Sequence, residues 1–288
     1  MAMALLFPGQ GSQVAGMRDL VADARPDLLE LAIALAGADP FELIEEGTRY
    51  AQPALCATSL ALWSAAGEPA GDAVAGHSLG EVAALAAAGA LAAEDAVRIA
   101  AERGALMQEA AAGGPRGAMI ALLGEGKVVA ELAAALARDR GLTVANDNAP
   151  GQLVLSGPAE AVDGAEAQAA ARGVRSVRLR VQGAFHSAAM APAVGAFRAF
   201  LEGVAFRRPR VPLFSCSRAA PAPEDLRGEL AAALTRPVRW RETLAALRGA
   251  GIETFVDVGP GKVLKGLARR ALPGCEALTL AELEAAHA

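Results

Sequence analysis

The sequence predicts an α/β protein built around a largely parallel sheet, and three observations lead there. Short apolar segments alternate with longer helix-prone ones. Alanine, which favours helix, inflates a hydrophobic content of 53%. Residues 73–89, AVAGHSLGEVAALAAAG, run from an apolar strand through a serine between glycines into a helix-prone run.

The strand candidates, in order, are residues 4–7, 72–75, 118–123, 153–156, 176–181, 212–215 and 254–258, each short and apolar. Helical segments 81–88, 94–109 and 159–171 fall between them. Residues 117–180 read as strand, helix, strand, helix, strand, bounded by AAGGPRG and VQGAFHS, which outlines a small inserted domain. No fixed-period repeat is present.

A chain of 288 residues suits one large domain, or one that carries a smaller insert. Its net charge of −5 argues against a nucleic-acid binder, whose footprint is a basic surplus. Small molecules or proteins are the expected partners. Cys56, Cys216 and Cys275 lie far apart with no C-x-x-C pair, so neither a disulfide framework nor a zinc or other metal site is expected. A reducing cytoplasm fits that usage. The start, MAMALLFPGQG, lacks a basic region and its apolar run stops early, so no signal peptide is expected. The apolar run 82–93 is too short for a bilayer, which takes about 20 residues.

The stretch LLFPGQGSQ, residues 5–13, breaks from an apolar run into a glycine-rich loop whose amides suit negative charge. Phosphate readings fail: the third glycine of a dinucleotide fingerprint is Val14, and GPGKVLKG lacks the spacing and hydroxyl of a nucleotide-binding loop. The G-x-S-x-G stretch from Gly76 to Gly80 is more informative. A strand turning sharply into a helix leaves no room for side chains beside the serine, and Ser78 at the tip has a helix N-terminus behind it. The alternative is a serine in an ordinary strand-to-helix loop.

A serine nucleophile needs a base, and the chain has three histidines. His287 falls in an expected flexible tail, and His77, beside Ser78, should point elsewhere. His186, in VQGAFHSAAM, remains; read alone, it also suits a helix cap or a core position. An acyl-transfer serine further needs amide donors for its oxyanion. Leu79 supplies one, and the turn Gly9-Gln10-Gly11 can supply the second.

The ordered motifs FPGQGSQ, GHSLGE, RGALMQ, GAFHS and VDVGPGKVLKGL resemble the malonyl-CoA:acyl-carrier-protein transacylases, the acyltransferase family of fatty-acid and polyketide synthesis. The similarity runs over nearly the whole chain. It implies an α/β-hydrolase-like large domain, residues 1–116 and 182–288, with a small ferredoxin-like insert, residues 117–181. It implies ping-pong transfer of malonyl from malonyl-CoA to the phosphopantetheine thiol of an acyl carrier protein, through an acyl-serine and with no cofactor. A cytoplasmic monomer is expected, with neither nucleic acid nor membrane as partner.

Carried over by position, the resemblance makes Ser78 the nucleophile, His186 the base, and Gln10 and Leu79 the oxyanion-hole amides. It makes Arg103 the holder of the substrate carboxylate, where a planar guanidinium fits bidentately. Unaided, Arg103 reads as a surface residue pairing with Glu102 or Glu109. Two departures stand out: Ala233 occupies the position whose backbone carbonyl orients the histidine and where many members have Gln or Asn, and the segment between Leu35 and Gln52 is short. NDNAPGQ, residues 146–152, matches a polar loop over the site and has no assigned chemical role. Phe185 before the histidine favours malonyl over methylmalonyl units, or simply packs in the core. Lys262, Lys265, Arg269 and Arg270, at helical spacing, suit either a docking face for an acidic carrier or a solvated helix face. The rival functions are an acyl-thioester hydrolase on the same fold, which Arg103 argues against, and a non-catalytic carrier-binding subunit, which Ser78 and His186 argue against.

Overall fold

The computed structural model describes residues 2–287, with the side chain of His287 outside the described set. Its strands are β1 (Met3–Phe7), β2 (Ala73–Gly76), β3 (Gly117–Leu123), β4 (Thr143–Ala149), β5 (Gln152–Pro158), β6 (Arg175–Arg178), β7 (Leu213–Ser215), β8 (Ala220–Pro221), β9 (Thr254–Asp257) and β10 (Glu276–Thr279). They form a six-stranded sheet in the order β10-β9-β1-β2-β7-β8 and a four-stranded sheet in the order β4-β5-β3-β6. The large sheet is parallel except for β8, which pairs antiparallel with β7 at one edge.

The centre of the large sheet explains its apolar runs. Parallel strands covered on both faces have no polar side to show. Along β1, Leu5 and Phe7 enter one core cluster while Ala4 and Leu6 enter the other, on opposite faces of the pleat. Val74 and Val256 follow the first pair, and Ala73, Ala75 and Phe255 the second.

The small sheet is antiparallel throughout, and its chain order is strand, helix, strand, strand, helix, strand, the ferredoxin-like pattern. Period-2 alternation splits its faces. Ala118, Ile120, Leu122 and Leu155 pack under the helices Gly126–Arg140 and Ala159–Ala171, in a core of their own. Met119, Ala121 and Val154 face the other way, into the core of the large lobe.

Three expectations need correction. Residues 143–149 form β4, so residues 146–152 are a strand and a turn rather than a loop; only Pro150 and Gly151 make the turn. The strand expected at 176–181 stops at Arg178. β8 and β10, both at sheet edges, were not expected. In addition, His287 ends the helix Leu280–His287 rather than falling in a loose tail.

Candidate active site

The loops leaving the C-terminal ends of β1 and β2 meet, and the site is built there. β2 ends at Gly76 and the next helix, Gly80–Ala87, begins four residues on. So sharp a turn forces Ser78 to a φ of +53°. It also forces glycine on either side: a Cβ on Gly76 would lie 2.0 Å from the Glu81 nitrogen, and one on Gly80 would lie 1.9 Å from the Phe7 carbonyl oxygen. Ser78 Oγ therefore stands clear at the tip of the turn.

His186 reaches that tip from the far side of the chain. Its Nε2 lies 2.7 Å from Ser78 Oγ. Its Nδ1 faces two backbone carbonyls, Ala233 at 3.1 Å and Arg236 at 3.0 Å. Carbonyls only accept, so Nδ1 carries the proton, Nε2 is the acceptor, and Ser78 donates to it. His186 too is at positive φ, +56°. Ser187 pins its turn, donating from Oγ to the Ala184 carbonyl at 2.6 Å and accepting from the Ala189 amide at 3.2 Å. The capping role considered for the histidine thus belongs to its neighbour. Burial, reinforced by the Arg103 charge, pushes the imidazole down to about 3, so it is neutral at pH 7.

Leu79 follows Ser78 at the start of the helix, and Gln10 lies in the turn after β1. Among the described residues neither backbone amide has a protein acceptor. The two turns pack tightly: a Cβ on Gly9 would meet the His77 carbonyl oxygen at 2.5 Å and the Leu79 nitrogen at 3.5 Å.

Arg103, on the helix Ala93–Ala112, is 3% exposed and makes no ion pair among the described residues. The surface pairing with Glu102 or Glu109 is absent. Instead Nη1 donates to Gln52 Oε1 at 2.7 Å and Nη2 to Ser78 Oγ at 3.3 Å. Gln52 in turn donates to Thr48 Oγ1 at 2.7 Å, and Thr48 to Gln10 Oε1 at 3.1 Å. Burial lowers the guanidinium to about 10, so it remains a cation. Gln52 was not singled out from sequence. Its signal was a glutamine inside the apolar helix Thr48–Ala65.

A cavity of about 460 Å³ opens over these groups. Ser78, His186, Arg103, Gln10 and Leu79 line it, and Met119, Ala121 and Val154 of the small sheet roof it. Phe185 is buried and lines the same cavity. His77 points away from Ser78, donating from Nε2 to Asn148 Oδ1 at 2.7 Å and packing edge-on against Trp240. Asn148 belongs to β4 and lines the cavity together with Asn146 and Gln152, so the stretch expected to close over the site borders it. The basic face near the C-terminus is largely committed. On the helix Val263–Ala271, Lys265 pairs with Glu282, Arg269 donates to the Ala277 carbonyl and Arg270 to Gln152; Lys262, Arg269 and Arg270 are all exposed.

A strained serine at the end of a parallel strand, a neutral histidine bonded to it and two amides without protein acceptors among the described residues are the groups that serine-dependent acyl transfer uses, on an α/β scaffold. Residues 4–283 match the acyl transferase domain family, and the chain belongs to it. It is 36% identical over 298 residues to the malonyl CoA-acyl carrier protein transacylase of Escherichia coli (strain K12), covering 97% of this chain and 96% of that one. The crystal structure of an acyl-carrier-protein-S-malonyltransferase from Bartonella henselae superposes with a TM-score of 0.88 at 37% identity, covering 100% of this chain and 98% of that one. A malonyl-transacylase solved in complex with its type II PKS acyl-carrier protein superposes with a TM-score of 0.84 at 34% identity, covering 97% and 95% of the two chains. Among the described residues no helix is long and apolar enough to cross a membrane.

Proposed function

We propose that this chain moves a malonyl group from malonyl-CoA to the phosphopantetheine thiol of an acyl carrier protein, through a malonyl ester on Ser78. One observation carries the choice of acyl group: Arg103 is a buried cation with no carboxylate in ion-pair contact among the described residues, Glu81 acting on it only at longer range, and it touches Ser78 Oγ. A buried charge left unpaired is costly. A malonyl carboxylate seated on its fork satisfies it and brings the thioester carbonyl to Ser78.

In the first half-reaction His186 Nε2 takes the Ser78 proton as Oγ attacks the thioester carbonyl. The oxygen that becomes negative sits between the Gln10 and Leu79 amides. Collapse of the tetrahedral intermediate breaks the carbon–sulfur bond, and His186 returns its proton to the leaving CoA thiolate. In the second half-reaction the carrier's thiol gives its proton to His186 and attacks the ester, and Ser78 leaves with that proton. The Ala233 and Arg236 carbonyls stabilise the imidazolium that forms in each half. Proton and electron counts close within these groups, so no metal or redox cofactor enters the scheme. In this reading residues 1–116 and 182–288 carry the reacting groups, and residues 117–181 roof the cavity and exclude water. Three unpaired cysteines and a CoA substrate fit a reducing cytoplasm, the compartment this reading assigns.

Intact-protein mass spectrometry after brief mixing with malonyl-CoA is expected to show one malonyl adduct, absent in Ser78→Ala. In Arg103→Ala the malonyl carboxylate loses its partner, a loss of roughly 2–5 kcal/mol in kcat/KM. Acetyl-CoA has no carboxylate to strand, so that variant should use it at least as well as the parent. Equal losses for both donors, or an adduct that survives Ser78→Ala, overturn the proposal.

A further inference from the structure

The two carbonyls that hold His186 belong to one short stretch, and a buried carboxylate grips that stretch from the other side. Glu229 lies one turn before Ala233 on the helix Leu226–Ala233, so the two share a face. Beyond Ala233 the chain tightens: the Leu234 amide donates to the Ala231 carbonyl and the Thr235 amide to the Ala232 carbonyl. Pro237 follows with no amide hydrogen to continue the helix. The carbonyls of Ala233 and Arg236 are thereby left without helical partners, and His186 Nδ1 takes both.

Glu229 is 8% exposed, and its contacts run to Arg236, whose carbonyl holds the histidine, and to the end of β7 and the residues after it. Its Oε1 accepts from Ser215 Oγ at 2.7 Å and from Ser217 Oγ at 2.6 Å, at the end of β7. Its Oε2 accepts from Arg236 Nη1 at 3.3 Å and faces Arg218 Nη1 at 4.0 Å. Arg236 thus presents its carbonyl to His186 while its side chain returns to Glu229. A carboxylate this buried is tolerated only when hydrogen-bonded and paired, and here its partners tie Arg236, in the turn after the helix, to the end of β7.

We propose that Glu229 is a positioning residue for His186: by tethering Arg236 and the end of β7 it fixes the two carbonyls that keep the imidazole proton on Nδ1. This rests on the reading of Ser78 and His186 as the working pair. With the tether gone the turn has other conformations open to it, Nδ1 loses one of its acceptors, and the tautomer with the proton on Nε2 gains population. That tautomer is unable to take the serine proton. The cost falls on kcat, because Glu229 touches neither the cavity nor the substrate.

The experiment compares Glu229→Ala, Arg236→Ala, the double variant and Glu229→Gln. Glu229→Ala is expected to lower kcat roughly tenfold, a part of the ~10²–10⁴ that a positioned acid–base group supplies, with KM for malonyl-CoA within about twofold. Arg236→Ala keeps its backbone carbonyl but loses the tether, so it should fall similarly, and the double variant should be scarcely worse than either. Glu229→Gln still accepts the serine hydroxyls and should lie between the parent and Glu229→Ala; it also carries the test if the alanine variant does not fold. Nitrogen-15 NMR of the imidazole gives a readout independent of turnover: one Nδ1–H tautomer in the parent, a mixture in the variants. Unchanged kcat and tautomer alongside a lowered Tm overturn the proposal, as do losses that multiply in the double variant. If the parent transfers no malonyl yet the tautomer shifts, the malonyl reading fails and the positioning role stands.

Discussion

Ser78 and His186 are two of four non-glycine residues at positive φ among the described residues, and both are held there by their neighbours. Such conformations cost of order 1–3 kcal/mol each and persist only where the surroundings enforce them. For Ser78 the enforcement is the close approach at Gly76 and Gly80; for His186 it is the Ser187 hydroxyl. The electrostatics of the pair make a testable pH profile. His186 is a base only when neutral, and burial together with the Arg103 charge holds its pKa near 3 rather than 6.5. The acid limb of kcat/KM, which reports the free enzyme, is therefore expected well below pH 6.5, with activity retained at pH 5 as far as this group is concerned. A malonyl carboxylate on Arg103 offsets the repulsion, so the acid limb of kcat, which reports the bound state, should lie at higher pH than that of kcat/KM. Steady-state rates from pH 4.5 to 8 check this, and a kcat/KM limb near 6.5 contradicts it.

At the scale of elements, legibility tracked side-chain pattern. The Gly76–Gly80 elbow, the sharp turn that carries Ser78, was readable because its glycine, serine and glycine fall between an apolar strand and a helix-prone run, the context that lifts a common pattern above an ordinary loop. β4 was not, because asparagine and aspartate are depleted in strands. Here they are accommodated by register shifts between Val144 and Asn146 and between Asp147 and Ala149, and by contacts that sequence does not display. Asp147 accepts from Arg241, and Asn148 from His77. Arg103 was hidden for a related reason: on an alanine-rich helix the buried face has no sharp edge, so a buried arginine looks like an exposed one until the family motif marks it. The packing of the Gly9 turn on the elbow yields a prediction at this scale. The atom that a Gly9 Cβ would meet at 2.5 Å is the His77 carbonyl oxygen, which is backbone and has little room to yield. Gly9→Ala should displace the Gln10 amide from its place opposite Leu79. Losing an oxyanion donor outright costs about 10²–10³ in kcat, so a displacement should cost at least roughly tenfold with KM little changed. An unaltered kcat in a folded Gly9→Ala protein would mean that the Gln10 amide takes no part.

Across the whole molecule the two lobes are stitched along β4. The Asp147 amide donates to the Val238 carbonyl and the Val238 amide to the Ala145 carbonyl, both at 2.8 Å. The small sheet that roofs the cavity is thus bonded through β4 to the chain that leads into the helix Trp240–Gly249. Beneath the seam the large lobe buries Glu81, whose Oε1 accepts from the Cys216 amide at 2.7 Å. Burial, with Glu229 adding repulsion, raises its pKa from 4.5 to about 7. A folded-state pKa above the unfolded one means that the folded form binds more protons between pH 4.5 and 7. Its contribution to stability is fully present below pH 4.5 and is lost as pH rises to 7. His186 works in the opposite sense, its lowered pKa costing stability as pH falls below 6.5. Comparison of the parent with Glu81→Gln separates the two, since both proteins keep His186 and glutamine does not ionise. The stability of Glu81→Gln relative to the parent should rise from pH 4.5 to 7 and level off above, by at most about 3 kcal/mol. Thermal unfolding at a series of pH values measures it. A gap between the two proteins that does not change with pH would mean that Glu81 ionises as an ordinary carboxylate, its burial compensated within the fold.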